Sequence, residues 1–407
     1  MKKFWIYLEP HTFIFQGDEQ VVIYNSINGA YHQYFYSEYP LLEYIVNEID
    51  KSSNGYGVSL DESEMSLVQT IIEDLRETVS GDCILLKKQS ILPFIFKPTC
   101  RIMEERMNFS KHREEMSSES FWGEMLANLN EVTIHLGGND EDDHLNNYPY
   151  YRQFIHSIDH NIKDALSERD YIGIIQYLCN LSIGKLNIVL NRNAFHQLTG
   201  ILAYLYECEF KICFYLNFRD LNSSLIEMLS DFTLIVYIHK EDKSDCVIDY
   251  MERYPNIDVV WNAIVSSEED LMNIESLGNQ VAITPYYNGD NELFFKDFVY
   301  NDIDSILKYP VDRQTIFRRK TLNENFFGKL FILPNGDTYS NMNAPVIGNI
   351  KTMSLSEIVF IEMKSSTAWF KLREEKACAN CCNRYLCPSI SDYEWVIGKP
   401  NLCHIKP

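Results

Sequence analysis

Between residues 12 and 36 apolar and polar positions fall into short alternating blocks. The runs "TFIF", "VVIY" and "AYHQYFY" are separated by the polar stretches "QGDE" and "NSING". Asn28-Gly29 suits a tight turn that needs positive φ, so the pattern predicts a three-stranded antiparallel meander. The period then lengthens to that of helices. "PLLEYIVNEI" opens on Pro40, tolerated in a first turn. A second helix is expected from near Asp61, with Glu64 at capping-box spacing; Met65, Val68, Ile71, Ile72, Leu75 and Val79 make its apolar stripe. Pro93 and Pro98 mark a linker. The first unit, residues 1–98, thus reads as three strands and two helices.

Residues 130–290 alternate strand and helix. Strands are expected in "EVTIHLGG", "KLNIVLN", "FKICFYLNF", "FTLIVYIHK", "IDVVWNAIV" and "QVAITPYYNG". Helices are expected in "YYRQFIHSIDHNIKDAL", "FHQLTGILAYLYE", "SSLIEMLS", "SDCVIDYMERY" and "SEEDLMNIESL". Such alternation implies a parallel sheet. Six units are too few to close an eightfold barrel, so an open, partial barrel fits, with an open doubly wound sheet as the alternative. In the first four strands one parity is aliphatic or aromatic, as in Val132, Ile134 and Leu136, and should pack on the helices. The other parity is mixed. A polar-lined lumen, open and partly wet, is expected at His135, Asn187, Asn191, Tyr215, Asn217, Tyr237 and His239, because unpaired polar groups are costly to bury. A hydrogen-bonded polar core without a ligand is the alternative.

Residues 326–407 read differently. "FFGKLFILPNGDTYSNMNAPVIGNI" is a hairpin around Asn335-Gly336 followed by a turn at Gly348-Asn349, and "SLSEIVFIEMKSS" is a helix. Five of the eleven cysteines then crowd the end of the chain: Cys378, Cys381, Cys382, Cys387 and Cys403. Cys378-x2-Cys381-x5-Cys387 with Cys403 offers four thiolates, a set that serves tetrahedral zinc or an iron–sulfur cluster. Spacing alone does not separate the two, and free reduced thiols are the alternative. Cys382 is a spare or a substitute ligand.

Composition narrows the setting. Hydrophobic residues make up 46% and charged residues 23%, a globular balance. The formal charge of −22 disfavours nucleic acid and favours a cationic partner or peptide. The apolar run after Met1 stops at Glu9-Pro10, too short for a signal-peptide core, and no stretch reaches the length of a membrane span. A cytoplasmic protein with reduced thiols is therefore expected, without a disulfide framework. The acidic run "NDEDDHL" offers Asp140 to His144 to a hard cation, or is a solvated loop. Gly137-Gly138 lacks the spacing of a phosphate loop.

Order and motifs together resemble the radical SAM maturases that carry a C-terminal SPASM domain and modify ribosomally made peptides. Gly336 matches that family's hairpin glycine, Cys378, Cys381 and Cys387 match its C-x2-C-x5-C, and Cys403 matches its last cysteine. Asn341 and Ser391 stand where two further cysteines belong. The resemblance implies one complete auxiliary [4Fe–4S] site, in preference to zinc, and one erased site. The loop after the first barrel strand, "GGNDEDDHLNNYPYY", has none of the three cysteines of CxxxCxxC, and no GGE-type stretch follows the second strand. Without that cluster there is no S-adenosylmethionine cleavage and no radical. The chain is thus most similar to the pseudo-radical-SAM proteins of Bacteroidales peptide-maturation systems. The opening unit resembles the winged-helix-like RiPP recognition element, in which a leader peptide adds as a strand beside the third strand and against the last helix.

The implied fold is α/β: a peptide-binding domain (1–98), a degenerate partial (β/α)6 barrel (99–320) and a SPASM-like metal-binding domain (321–407). The implied peptide-binding residues are Ala30, Tyr31, His32, Gln33, Tyr34 and Phe35, with Val68, Ile72 and Leu75. The implied partners are a precursor peptide and an active radical SAM maturase, with no nucleic acid and no membrane. Rival readings are an enzyme with a new activity built on His135, His239 or the acidic loop, and an electron-relay subunit.

Overall fold

In the computed structural model of the chain, residues 2–51, 55–87, 92–93, 95–98, 125–137, 150–155, 164–190, 194–275, 277–278, 280–365, 367–399 and 401–405 are described. The molecule is mixed α/β, with one large, mostly parallel nine-stranded sheet and two three-stranded antiparallel sheets.

The N-terminal part holds β1 (Lys3–Leu8), β2 (Thr12–Gln16), β3 (Gln20–Asn25), β4 (Tyr31–Phe35), β5 (Gly57–Asp61) and β6 (Gly81–Leu86). β2, β3 and β4 form the expected meander, with Gly29 at φ 77° in the second turn. The remaining three strands are a sheet that the pattern did not reveal. β1 runs between β5 and β6, antiparallel to both. Its sequence "KFWIYL" and the "GDCILL" of β6 lack clean alternation, and their partners lie far along the chain. Close crossing explains two glycines: a Cβ at Gly57 would lie 2.6 Å from Ile6 O, and one at Gly81 2.4 Å from Tyr7 O.

The second helix also starts later than expected. Asp61 ends β5, a 3₁₀ turn covers Met65–Leu67, and the α-helix runs Gln69–Glu77. The Glu64 carboxylate does accept the Asp61 N–H, at 2.8 Å, but it caps the turn rather than the helix. One face of the meander, through Val21, Ile23 and Tyr34, packs on helix Leu42–Lys51 and on Val68, Ile71, Ile72 and Leu75.

The large sheet contains β7 (Glu131–His135), β8 (Lys185–Val189), β9 (Lys211–Asn217), β10 (Thr233–Ile238), β11 (Val259–Val265), β12 (Val281–Pro285), β13 (Lys329–Ile332), β14 (Asp337–Tyr339) and β15 (Gly348–Asn349). Its order is β12-β11-β10-β9-β8-β7-β13-β14-β15. Strands β7 to β12 lie side by side in chain order, and β13 then returns to the other side of β7. The aliphatic parity does face the helices: Val132, Ile134, Leu186, Ile188, Phe214, Leu234 and Val236 join Tyr171, Ile175, Leu198, Ile201, Leu225 and Val247 in the main core.

Helix Glu168–Cys179 was not anticipated; Ser167 caps it, accepting the Asp170 N–H. Of the helix expected over 150–166, a short 3₁₀ turn at Tyr151–Gln153 is seen, and residues 156–163 lie outside the described residues. Helices Glu292–Phe298, Ile303–Leu307 and Arg313–Thr321 occupy a stretch to which the pattern gave no elements. Cys179 and Cys208 form a disulfide with Cα atoms 5.4 Å apart, against the expectation of reduced thiols, because helix Glu168–Cys179 packs beside helix Phe195–Leu205, which Cys208 follows. Among the described residues no helix is long and apolar enough to cross a membrane.

The tail is not a separate sheet. β13 pairs in parallel with β7, from Glu131 opposite Lys329 to Ile134 opposite Ile332. β14 turns back around Gly336 (φ 89°), and Gly348-Asn349, expected as a turn, pairs with β14 as β15.

Candidate functional site

The cysteine tail is built from tight turns. Cys381 N–H bonds to Cys378 O at 3.0 Å, and Cys387 N–H to Asn383 O at 2.9 Å. Cys403 is brought in by pairing with Asn301, whose N–H donates to Leu402 O at 3.0 Å. Cys378, Cys381, Cys387 and Cys403, the four ligands expected from spacing, line one small cavity of about 370 Å³ together with Arg373, Arg384 and Asn301. Among the described residues no three such side chains are already closed to ion-binding distance. Burial pushes the Cys387 thiol up to about 12 against the opposing pull of Arg373. A metal would therefore have to drive its deprotonation, as thiolate sites require. Arg373 is fixed by Glu394 at 2.7 Å. Two guanidinium groups beside four thiolates offset the negative charge of a four-cysteine centre, so the donor set fits such a group.

Cys382 leaves the cavity. Its Sγ accepts from Gln20 Nε2 at 3.2 Å, and the residue is buried with Phe13, Phe15, Val22 and Tyr24. It faces the N-terminal meander while its thiol stays in contact with that of Cys381. The second face of that meander thus rests on the tail. Tyr31 Oη donates to Asn383 at 3.0 Å, Tyr24 Oη accepts the Val311 N–H at 2.6 Å, and Lys320 Nζ lies over the rings of Phe13, Phe15 and Tyr385. Sequence gave no hint of this contact, which joins residues 287 to 362 positions apart.

β4 is an edge strand. Asn25 N–H bonds to Ala30 O, and Tyr36 N–H to Glu19 O. With the register of β3 and β4, antiparallel alternation turns the backbone groups of His32 and Tyr34 toward β3 and those of Tyr31, Gln33 and Phe35 outward. The side chains divide likewise. His32 meets Thr78 at 3.1 Å and Tyr34 donates to Asp74 at 2.8 Å, on the side of helix Gln69–Glu77. Gln33 is exposed, Phe35 is 39% exposed, and Ala30 is half-buried in the turn. Val68, Ile72 and Leu75, expected beside a peptide, face the core instead, each 1% exposed.

The inner face of the large sheet is drier than expected. His135 and Asn187 are fully buried, Tyr215, Tyr237 and His239 nearly so, and only Asn217 is half-buried. Phe154 and Ile155 pack over the face, which excludes an open wet lumen there. Most polar atoms are satisfied locally. Asn187 donates to Glu131 and Thr133 (2.5 and 3.1 Å), Lys185 to Tyr215 (3.1 Å), and His239 Nε2 sits 2.9 Å from Asn217 Oδ1. His135 has no partner on either ring nitrogen among the described residues, and burial lowers its pKa to about 3. That keeps the ring neutral, which weighs against acid–base work near neutral pH. Asn191 and the run Asp140 to His144 lie outside the described residues.

Cavities remain at both ends of this face. One of about 430 Å³, at the C-terminal ends of β10 to β12, is lined by His239, Ser266, Asp270, Tyr286 and Asn288. One of about 910 Å³, beside the first residues of β7 and β13, is lined by Glu131, Lys329, Phe331, Ser391, Asp392 and Tyr393. Phe154 borders both. Asn341 and Ser391, the two positions without their expected cysteines, meet near the second cavity. Asn341 Nδ2 donates to Asp392 Oδ1 at 2.6 Å, and Ser391 Oγ donates to Glu394 at 3.0 Å.

No family model matches the chain, and no curated protein matches it in sequence.

Proposed function

We propose that the chain is a radical-SAM-like protein without radical chemistry, which binds a ribosomally made precursor peptide and assists an active radical SAM maturase. The observation that carries this reading is the open edge of β4: Tyr31, Gln33 and Phe35 turn their backbone groups outward, beside helix Gln69–Glu77 and above a tail that backs the sheet. A leader peptide would add there as a fourth strand. Each added backbone hydrogen bond contributes about 0.5–1.5 kcal/mol. The six sequential parallel strands are read as a degenerate partial (β/α)6 barrel. The tail holds one four-cysteine metal centre at Cys378, Cys381, Cys387 and Cys403, an iron–sulfur cluster in preference to zinc. Its role is structural, since metal binding can fold a thin segment. The protein works in the cytoplasm.

A fluorescence-anisotropy titration of the full chain with the leader of the precursor encoded beside it tests this reading. Saturable binding supports it, and Gln33→Pro, which removes an outward N–H without touching a backbone bond to β3, should weaken that binding about tenfold or more. No binding, or binding indifferent to Gln33→Pro, would contradict it.

A further inference from the structure

The cavity of about 910 Å³ holds a carboxylate that the fold leaves half used. Asp392 opens helix Asp392–Ile397 and lines the cavity, half-buried, where desolvation pushes its carboxyl up to about 6. Its Oδ1 takes two amides, Asn341 Nδ2 at 2.6 Å and Asn343 Nδ2 at 3.2 Å. Among the described residues its Oδ2 has no hydrogen-bond partner, and the side chain has no ion-pair partner within 4.0 Å. The other carboxylate of the lining is committed: Glu131 accepts from Asn187 at 2.5 Å, and Lys329 and Lys185 lie 3.5 and 3.9 Å from it. Lys329, whose charge lowers the Asp392 pKa, forms its ion pair with Glu131. Four aromatic residues, Phe154, Phe326, Phe331 and Tyr393, line the same cavity.

A half-buried carboxylate oxygen without a hydrogen bond is costly, and although Lys329 and Arg152 also line the cavity, neither forms an ion pair with Asp392. The rings narrow the choice of an outside one. Aromatic faces attract organic cations, whereas a hard metal ion needs six or more oxygen ligands, and one carboxylate oxygen is free. The volume suits a small molecule or one long side chain. We propose that this cavity binds a protonated organic amine, with the ammonium against Asp392 Oδ2 and its carbon chain among the four rings. The amine is the side chain of a peptide lysine or a free small amine. The site is distinct from the β4 edge and does not require that a leader docks there.

Calorimetric titration of the metal-loaded full chain near neutral pH tests the proposal with three probes: Nα-acetyl-lysine-N-methylamide, n-pentylamine, and the capped lysine with its Nε also acetylated. At least one amine should bind about tenfold or more tightly than the neutral, acetylated probe. Tighter binding of the capped lysine identifies a peptide side chain as the source; tighter binding of pentylamine identifies a free amine. Asp392→Asn should weaken the amine about tenfold while its far-UV circular dichroism matches that of the parent. The comparison of charged and acetylated probes on the parent chain stands even if that variant does not fold. Absence of heat with both amines at about 10 mM, equal binding of the acetylated probe, or unchanged binding by folded Asp392→Asn would overturn the proposal.

Discussion

Cys381 and Cys382 are adjacent, yet their side chains enter different environments: one lines the four-cysteine cavity, the other the core shared with Phe15 and Val22. Metal content should separate them. Cys387→Ala or Cys381→Ala should abolish bound metal. Cys382→Ala should keep it and lose about 1–2 kcal/mol of stability, from the missing sulfur and the stranded Gln20 amide. Iron and zinc analysis of anaerobically purified variants, with urea melts, checks both. Lys320 gives a second prediction. Burial, with Lys97 and Arg384 adding to it, lowers its pKa to about 8. Between about pH 8 and 10.5 the folded state therefore holds fewer protons on this group than the unfolded state, so stability from it rises with pH and is lost as pH falls through 8. Lys320→Met should remove that rise from the urea midpoints. At this scale the grouping of Cys378, Cys381, Cys387 and Cys403 around one cavity was legible from their spacing. The fate of Cys382 was not, because it depends on a partner, Gln20, that folding delivers from the other end of the chain.

At the scale of elements, the meander is covered on both faces, by helices through Val21 and Ile23 and by the tail through Phe13, Val22 and Tyr24. Its period-2 pattern was readable, but alternation cannot say that both faces are buried by different layers. β1, β5 and β6 escaped because their pairing is set by contact across 50 to 80 residues rather than by local turns. The tail should act on β4 through Tyr31–Asn383 and Gln20–Cys382. Stripping the metal anaerobically should then weaken leader binding several-fold without unfolding the large sheet. Tyr31→Phe, which removes the hydroxyl facing Asn383, should reproduce part of that loss. Anisotropy with metal-loaded, stripped and Tyr31→Phe protein measures it; equal affinity in all three would show that the tail and the edge are uncoupled.

For the whole molecule, strand–helix alternation made the parallel sheet legible. β13 extends the large sheet beside β7, and the N-terminal meander shares a core with the tail. A fragment of residues 1–98 would expose Phe13, Phe15, Val22 and Tyr24, so it should self-associate on size-exclusion chromatography where the full chain does not.

The most direct test of peptide docking is amide hydrogen exchange, residue by residue, on the full chain with and without saturating leader peptide. Tyr31, Gln33 and Phe35 point their N–H groups outward and should exchange fast alone, then slow about tenfold or more with peptide. His32 and Tyr34, already bonded to β3, should change little. Protection that falls elsewhere, or none at all on β4 at saturation, would contradict docking at this edge.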